Sequence, residues 1–197
     1  MTDTARRAAL ERKTRETHVK VDLNLDGTGQ SQIDTGIGFL DHMLTALARH
    51  GRLDLTLHCK GDLEIDDHHT AEDCALTLGA AIDQALGDKR GIARFGYAYA
   101  PLDEALARAV IDFSGRPHAQ VELSLRREAI GALACENITH VMQSLAVAAR
   151  ATLHVDVIRG QNDHHKAEAA FKALALAIRQ AVAQDGTQTI PSTKGVL

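Results

Sequence analysis

The chain has 197 residues, is 45% hydrophobic but only 3% aromatic, and carries a formal net charge of −4. That length suffices for one sizeable core, while the charge leaves no electrostatic footprint for nucleic acid. Three cysteines without C-x-x-C spacing indicate neither a zinc knuckle nor a disulfide framework. The N-terminal stretch has no apolar signal core and no segment approaches about 18 apolar residues, so a cytoplasmic protein is the expectation.

Without tryptophan, alanine and leucine must do most of the packing, which suits closely approaching helices. Residues 16–36 alternate apolar and polar around Asp26-Gly27, the pattern of a hairpin. Helical periodicity over 38–51 ends at a glycine after basic residues. A strand is expected at 53–59 and a helix from about 69 to 86, closed by Gly87. Strand-like runs follow near 94–100, 106–113 and 118–125, then a helix at about 135–149, a strand at 152–158 and a helix at about 165–183.

Two short stretches carry the chemistry. "DDHHTAED" (66–73) places His68 and His69 before Glu72, so that each histidine shares a helix face with the carboxylate at i+4 or i+3. Alone, this is weak evidence for a metal site, since a charged helix start reads the same way. "DHHKAE" (163–168) repeats it as His164, His165 and Glu168, at an offset of 96 residues. The neighbourhood repeats too: "LTLH" (55–58) with "ATLH" (151–154), and "AAIDQAL" (80–86) with "LAIRQAV" (176–182). "DHMLTAL" (41–47) matches "THVMQSL" (139–145) after a two-residue shift, which pairs His42 with His140. The chain is a tandem duplication.

Each half reads as strands, helix, strand, helix. The expected fold is a two-layer α/β (α+β) arrangement related by a pseudo-twofold, with helices packed between or across two sheets. One domain spans 1–197, built of repeats at about 12–90 and about 91–185, with a tail at 186–197. The ligand candidates are His42, His68, His69 and Glu72 from one half, and His140, His164, His165 and Glu168 from the other. Imidazole and carboxylate without thiolate favour Mn²⁺ or Fe²⁺ over structural zinc. Consecutive helical residues diverge by roughly 100°, so His68 and His69 should serve two different ions, each half giving ligands to both. His58 and His154 are also duplicated and read as structural.

"GFLDHML", "DDHHTAED", "ARFG", "PLDEAL", "SGRPH", "DHHKAEAAFKALALAIRQA" and "IPSTKGVL" occur in this order. Together they resemble the imidazoleglycerol-phosphate dehydratase family of histidine biosynthesis, over about Arg12 to Leu197. The resemblance implies a duplicated ribosomal protein S5 domain 2-like fold, two manganese ions (Mn2+) per active site and a homo-oligomer of 24 subunits built from trimers. It implies loss of water from D-erythro-imidazole glycerol phosphate to give imidazole acetol phosphate, with Glu16 and Glu168 as acid–base groups. The eight ligand candidates match the family's metal positions. Glu16, His42, His68, Arg94, Arg116, His164, Lys172, Ser192 and Lys194 match its substrate contacts, the cations and the tail serving the phosphate. The chain lacks the length and nucleophile motif of forms fused to a phosphatase. The rival readings are another binuclear metal enzyme that hydrolyses its substrate, and a non-catalytic shell glued together by metal.

Overall fold

The computed structural model describes residues 6–197; the first five residues of the N-terminal stretch considered above lie outside the described residues. The first half runs β1 (Arg7–Lys13), β2 (Thr17–Asn24), β3 (Ser31–Asp34), α1 (Gly38–Gly51), β4 (Asp54–Gly61) and α2 (His68–Leu86). The second runs β5 (Phe95–Leu102), β6 (Ala105–Asp112), β7 (His118–Glu122), a small hairpin of β8 (Ala129–Ile130) and β9 (Leu133–Ala134), α3 (Cys135–Ala148), β10 (Thr152–Arg159) and α4 (Asp163–Ala181). The sheets have strand orders β1-β2-β4-β3 and β5-β6-β10-β7, with the last pair parallel in each. The second half is thus the first half repeated, with the β8–β9 hairpin inserted.

Period-two patterning explains the sheets: Val19, Val21 and Leu23 of β2 and Ala107, Ala109 and Ile111 of β6 point inward and are buried. The helices are held between the two inner faces. α2 lies on β1 and β2, α4 lies on β5 and β6, and across the halves α2 packs on α3 and α1 on α4. Small residues allow the close approach. A Cβ on Gly79 of α2 would come within 2.5 Å of the Leu145 carbonyl oxygen of α3, and one on Gly96 of β5 would collide with the Ala177 carbonyl oxygen of α4. The expectation of alanine-rich, closely spaced helices holds.

The repeat extends to the helix ends. Arg52 after α1 and Arg150 after α3 both take left-handed backbone, at φ 56° and 52°. Leu53 N–H then bonds Ala48 O and Ala151 N–H bonds Ala146 O, each at 3.0 Å, turning the chain into β4 and β10.

One expectation fails. The alternating run at 16–36 is not a hairpin about Asp26-Gly27: β2 gives its free edge to β4, and β3 crosses to the far side of β4. The hairpin is β1–β2, in the charged N-terminal stretch, with Lys13 opposite His18. The Asp26-Gly27 segment is instead organised by Asp54, whose carboxylate accepts from the N–H groups of Thr28, Gly29 and Gln30. That long-range tie leaves no trace in local alternation.

The start of α4 rests on a buried ion pair. Asp163 accepts from Lys166 Nζ at 2.9 Å and from the N–H groups of Arg126 and Arg127 at 2.8 Å each, and Lys166 also donates to Ser124 O. Burial raises the Asp163 carboxyl, but these donors outweigh it and hold it at about 2. Because its folded value lies below the ordinary value of about 3.9, its stabilisation is complete above about pH 4 and is lost as pH falls toward 2. Asp163→Ala would strand the Lys166 ammonium, so a loss of about 3–5 kcal/mol is expected in chemical denaturation at neutral pH. The deficit should shrink in acid, where the wild-type carboxyl is itself protonated.

Candidate metal centres

The two helix pairs create two imidazole–carboxylate clusters, each drawn from both halves of the chain. On α1 and α4, His42 Nε2 lies 3.1 Å and His164 Nε2 3.2 Å from Glu168 Oε2. On α2 and α3, His140 Nε2 lies 3.0 Å from Glu72 Oε1, and the His68 ring stacks on His140 at 4.9 Å between centroids. In each cluster one ligand atom per residue falls within 4.8 Å of the other two, close enough to share one ion. Two imidazoles and a carboxylate without thiolate suit a hard-to-borderline divalent cation.

Local structure aims these side chains. Asp66 and Asn162 occupy the same repeat position and accept from the N–H groups of His68 and His164, at 2.8 and 2.9 Å. Asn162 is the N-cap of α4, whereas Asp66 stands just before Asp67, the N-cap of α2; both hold the first turns where the histidine pairs stand. Asp67 and Asp163, one residue on, tie the same turns to segments around the β8–β9 hairpin, through Ala134 N–H of β9 and through the Arg126 and Arg127 N–H groups just before β8. Asn137 Oδ1 lies 3.0 Å from His68 Nδ1; taking the proton on that nitrogen leaves Nε2 with its lone pair.

The second histidine of each pair turns away, as the 100° divergence requires. His69 Nδ1 lies 3.0 Å from Asp62, and His165 Nδ1 lies 2.7 Å from Glu104. These hydrogen bonds are the first cause of the upward shift of both imidazoles. Glu104 is held at about 2 by Asn162 N–H, then by His165 and Gln161 N–H. Glu16 lies 3.9 Å from His69 Nε2, at the β1–β2 turn rather than along a strand edge.

The remaining expected residues fall in two places. Lys172 stands on the first cluster, with Nζ 2.7 Å from Glu168 Oε1. Burial raises the Glu168 carboxyl, but Lys172 and His42 prevail and bring it to about 2. Arg94, just before β5, and Arg116, after β6, lie beside the C-terminal tail that carries Ser192 and Lys194. Arg94 binds Asp112 through Nε and Nη2 and donates from Nη1 to Pro191 O at 2.7 Å, one residue before Ser192. The chain end then runs to Gly115, where an added Cβ would come within 2.7 Å of the Leu197 carbonyl carbon, next to Arg116. Among the described residues, no hydrogen bond or ion pair joins these four to either cluster. His58 and His154 sit on the sheet faces turned from the helices, opposite in register to the buried Leu57 and Leu153.

Asp62, Glu104 and Asn137 were not foreseen. Asp62 and Glu104 do not repeat, so the duplication could not mark them. Asp66 and Asn162 stand at the same repeat position, an Asp/Asn pair ahead of each histidine pair that could have marked both helix starts.

Fold and donor set together define a duplicated α+β protein with two candidate divalent-cation centres. The family model for imidazoleglycerol-phosphate dehydratase matches residues 35–178. A protein of that name from Phytophthora nicotianae is 63% identical over 192 residues, covering 98% of this chain, which spans only 42% of that relative. The one from Phaffia rhodozyma is 60% identical over 197 residues, covering 98% of this chain and 96% of the relative. The crystal structure of the Staphylococcus aureus dehydratase superposes with a TM-score of 0.82 at 36% identity, covering 90% of this chain and 99% of that one. This chain belongs to the imidazoleglycerol-phosphate dehydratase family.

His140→Ala removes one imidazole from a three-residue cluster, and His42→Ala does the same in the other. Each variant is expected to lose one tightly held Mn²⁺ per chain, and the double variant both, by elemental analysis after gel filtration. Full metal content in the double variant would show that ions bind elsewhere.

Proposed function

We propose that this chain is a manganese-dependent hydro-lyase that removes water from D-erythro-imidazole glycerol phosphate to give imidazole acetol phosphate, a step of histidine biosynthesis. The carrying observation is the pair of imidazole–carboxylate clusters, each built across the halves, in a chain of this family. The reacting C–H has no carbonyl beside it, so its proton is not acidic by itself. Mn²⁺ bound to the substrate's imidazole would favour the imidazolate, whose electrons can expel the adjacent hydroxide.

The chain's own residues do the rest. His42, His164 and Glu168 hold one ion, and His68, Glu72 and His140 the other. His69 and His165 offer a further imidazole to each ion pair, aimed away from their own clusters. Glu16, exposed at a turn beside His69, and Glu168 move protons. Burial raises the Glu168 carboxyl, but Lys172 and His42 outweigh it and favour the carboxylate. Arg94, Arg116, Ser192 and Lys194 gather the substrate's phosphate around the tail at 186–197, which serves both repeats of a single domain. The guanidiniums supply planar donors and Lys194 a point charge.

The outward histidines and the tail's separation from the clusters favour a site completed by another copy, in a 24-subunit homo-oligomer of trimers. The outer face of β5 supports assembly, since Phe95, Tyr97 and Tyr99 are 58%, 67% and 55% exposed. No helix of the described residues is long and apolar enough to cross a membrane, and the proposed setting is the cytoplasm.

Incubating the Mn²⁺-loaded protein with imidazole glycerol phosphate should yield a ketone; absence of product would leave the hydrolase or shell readings. Glu168→Gln is expected to lower turnover by about 10²–10⁴-fold, and normal turnover with metal bound would remove it as proton carrier. Light scattering after chelation should show large assemblies falling to small oligomers and re-forming with Mn²⁺. Unchanged size would mean that metal does not join subunits.

A further inference from the structure

The segment Pro101–Leu106, PLDEAL, has no part in the reaction as described so far. Its Asp103 and Glu104 form the two-residue turn between β5 and β6, where Leu102 pairs with Ala105. Asp103 takes φ +47°, a left-handed backbone that aspartate tolerates better than most residues. Such a turn needs no glutamate at its second position, yet Glu104 uses both of its oxygens. Oε2 lies 2.7 Å from His165 Nδ1, and Oε1 accepts from Gln161 N–H at 3.1 Å and Asn162 N–H at 2.8 Å. Asn162 is the residue that caps α4 through His164 N–H. One carboxylate therefore grips the His165 ring and the loop that launches His164.

Inheritance through the duplication does not account for this contact. His69 sits in the same electrostatic frame, with Asp62 on Nδ1 and Glu16 3.9 Å from Nε2. His165 has Glu104 on Nδ1 and Asp103 3.8 Å from Nε2. But Asp62 lies in the loop before its own helix, and its repeat counterpart at position 158 is isoleucine. The second half supplies the carboxylate from a hairpin remote in sequence instead. The Nδ1 carboxylate thus comes from different positions in the two halves, Asp62 before α2 and Glu104 on the β5–β6 turn, the counterpart of the β1–β2 turn that carries Glu16, which points to a demand at the imidazole.

That demand is a fixed tautomer. An Nδ1–H donated to carboxylate leaves the lone pair on Nε2 and sets the plane of the ring. We propose that Glu104 is a positioning residue for metal binding: it fixes His165 with Nε2 bare and oriented for a divalent cation. Asp103, on the Nε2 side, stands where Glu16 stands for His69. The inference rests on the reading of His165 as a metal ligand.

The test uses Mn²⁺ itself. Calorimetric Mn²⁺ titrations and thermal midpoints of the chelator-treated protein are measured for wild type, Glu104→Gln, Glu104→Leu and His165→Ala. Glu104→Leu is expected to bind Mn²⁺ about 10–100-fold more weakly, with its metal-free midpoint unchanged. Glu104→Gln should fall between, because its one carbonyl oxygen can serve the ring or the loop but not both. Two results overturn the proposal: wild-type Mn²⁺ affinity in both variants while His165→Ala is weakened, or affinity and midpoint falling together in both. Wild-type affinity in His165→Ala would instead show that His165 is not a ligand, sinking the underlying reading and with it the role of Glu104.

Discussion

The contact on which the rest depends is the packing of helices across the duplication, α1 on α4 and α2 on α3. Neither half holds a complete cluster by itself. His42 needs His164 and Glu168, and His140 needs His68 and Glu72. An imidazole and a carboxylate on separate helices can share an ion only if the axes come close, which limits the side chains between them to small ones. Gly79 against the Leu145 carbonyl is the tightest helix–helix example. The aromatic-poor, alanine-rich composition is therefore a requirement of the site as much as of the core.

The second constraint is angular. Consecutive residues on a helix diverge by about 100°, so an H-H pair on a first turn must split. His68 and His164 face the partner helix, whereas His69 and His165 face carboxylates outside it. Asp66 and Asn162 hold the first turns through the N–H groups of His68 and His164, and so help set which histidine faces which way. A one-residue slip of either helix start would exchange the two roles. That gives the repeated Asx position a functional meaning beyond helix stability.

Periodicity and the 96-residue offset, shifted by two residues for His42 and His140, made the four helices, the strands around them and the six cluster residues legible. Local patterns repeat with the chain, and a duplicated motif carries its neighbourhood. What stayed hidden was long-range. The Asp54 carboxylate organises residues 28–30 and removes the hairpin that alternation suggested around Asp26-Gly27. β1 was masked by its charges: as an edge strand it exposes most of its residues, with Ala8 its only fully buried one. Asp62 and Glu104 were invisible because their partners are met only in three dimensions. Arg94 was legible only through family resemblance, since no local pattern announces that its Nη1 will hold the Pro191 carbonyl.

The two clusters, alike in ligands, differ in charge. Position i+4 from Glu168 is Lys172, whereas the same step from Glu72 reaches Leu76. The ammonium 2.7 Å from Glu168 Oε1 occupies one carboxylate oxygen and leaves Oε2 to the histidines. Glu72 carries no such cation and is more than twice as exposed, at 35% against 14% for Glu168. Like charges at short range repel, so a divalent ion bound beside Lys172 would bind against a cation that the other cluster lacks. The duplication supplied two similar cradles, and a single leucine-to-lysine difference between them would make any ions bound there unequal.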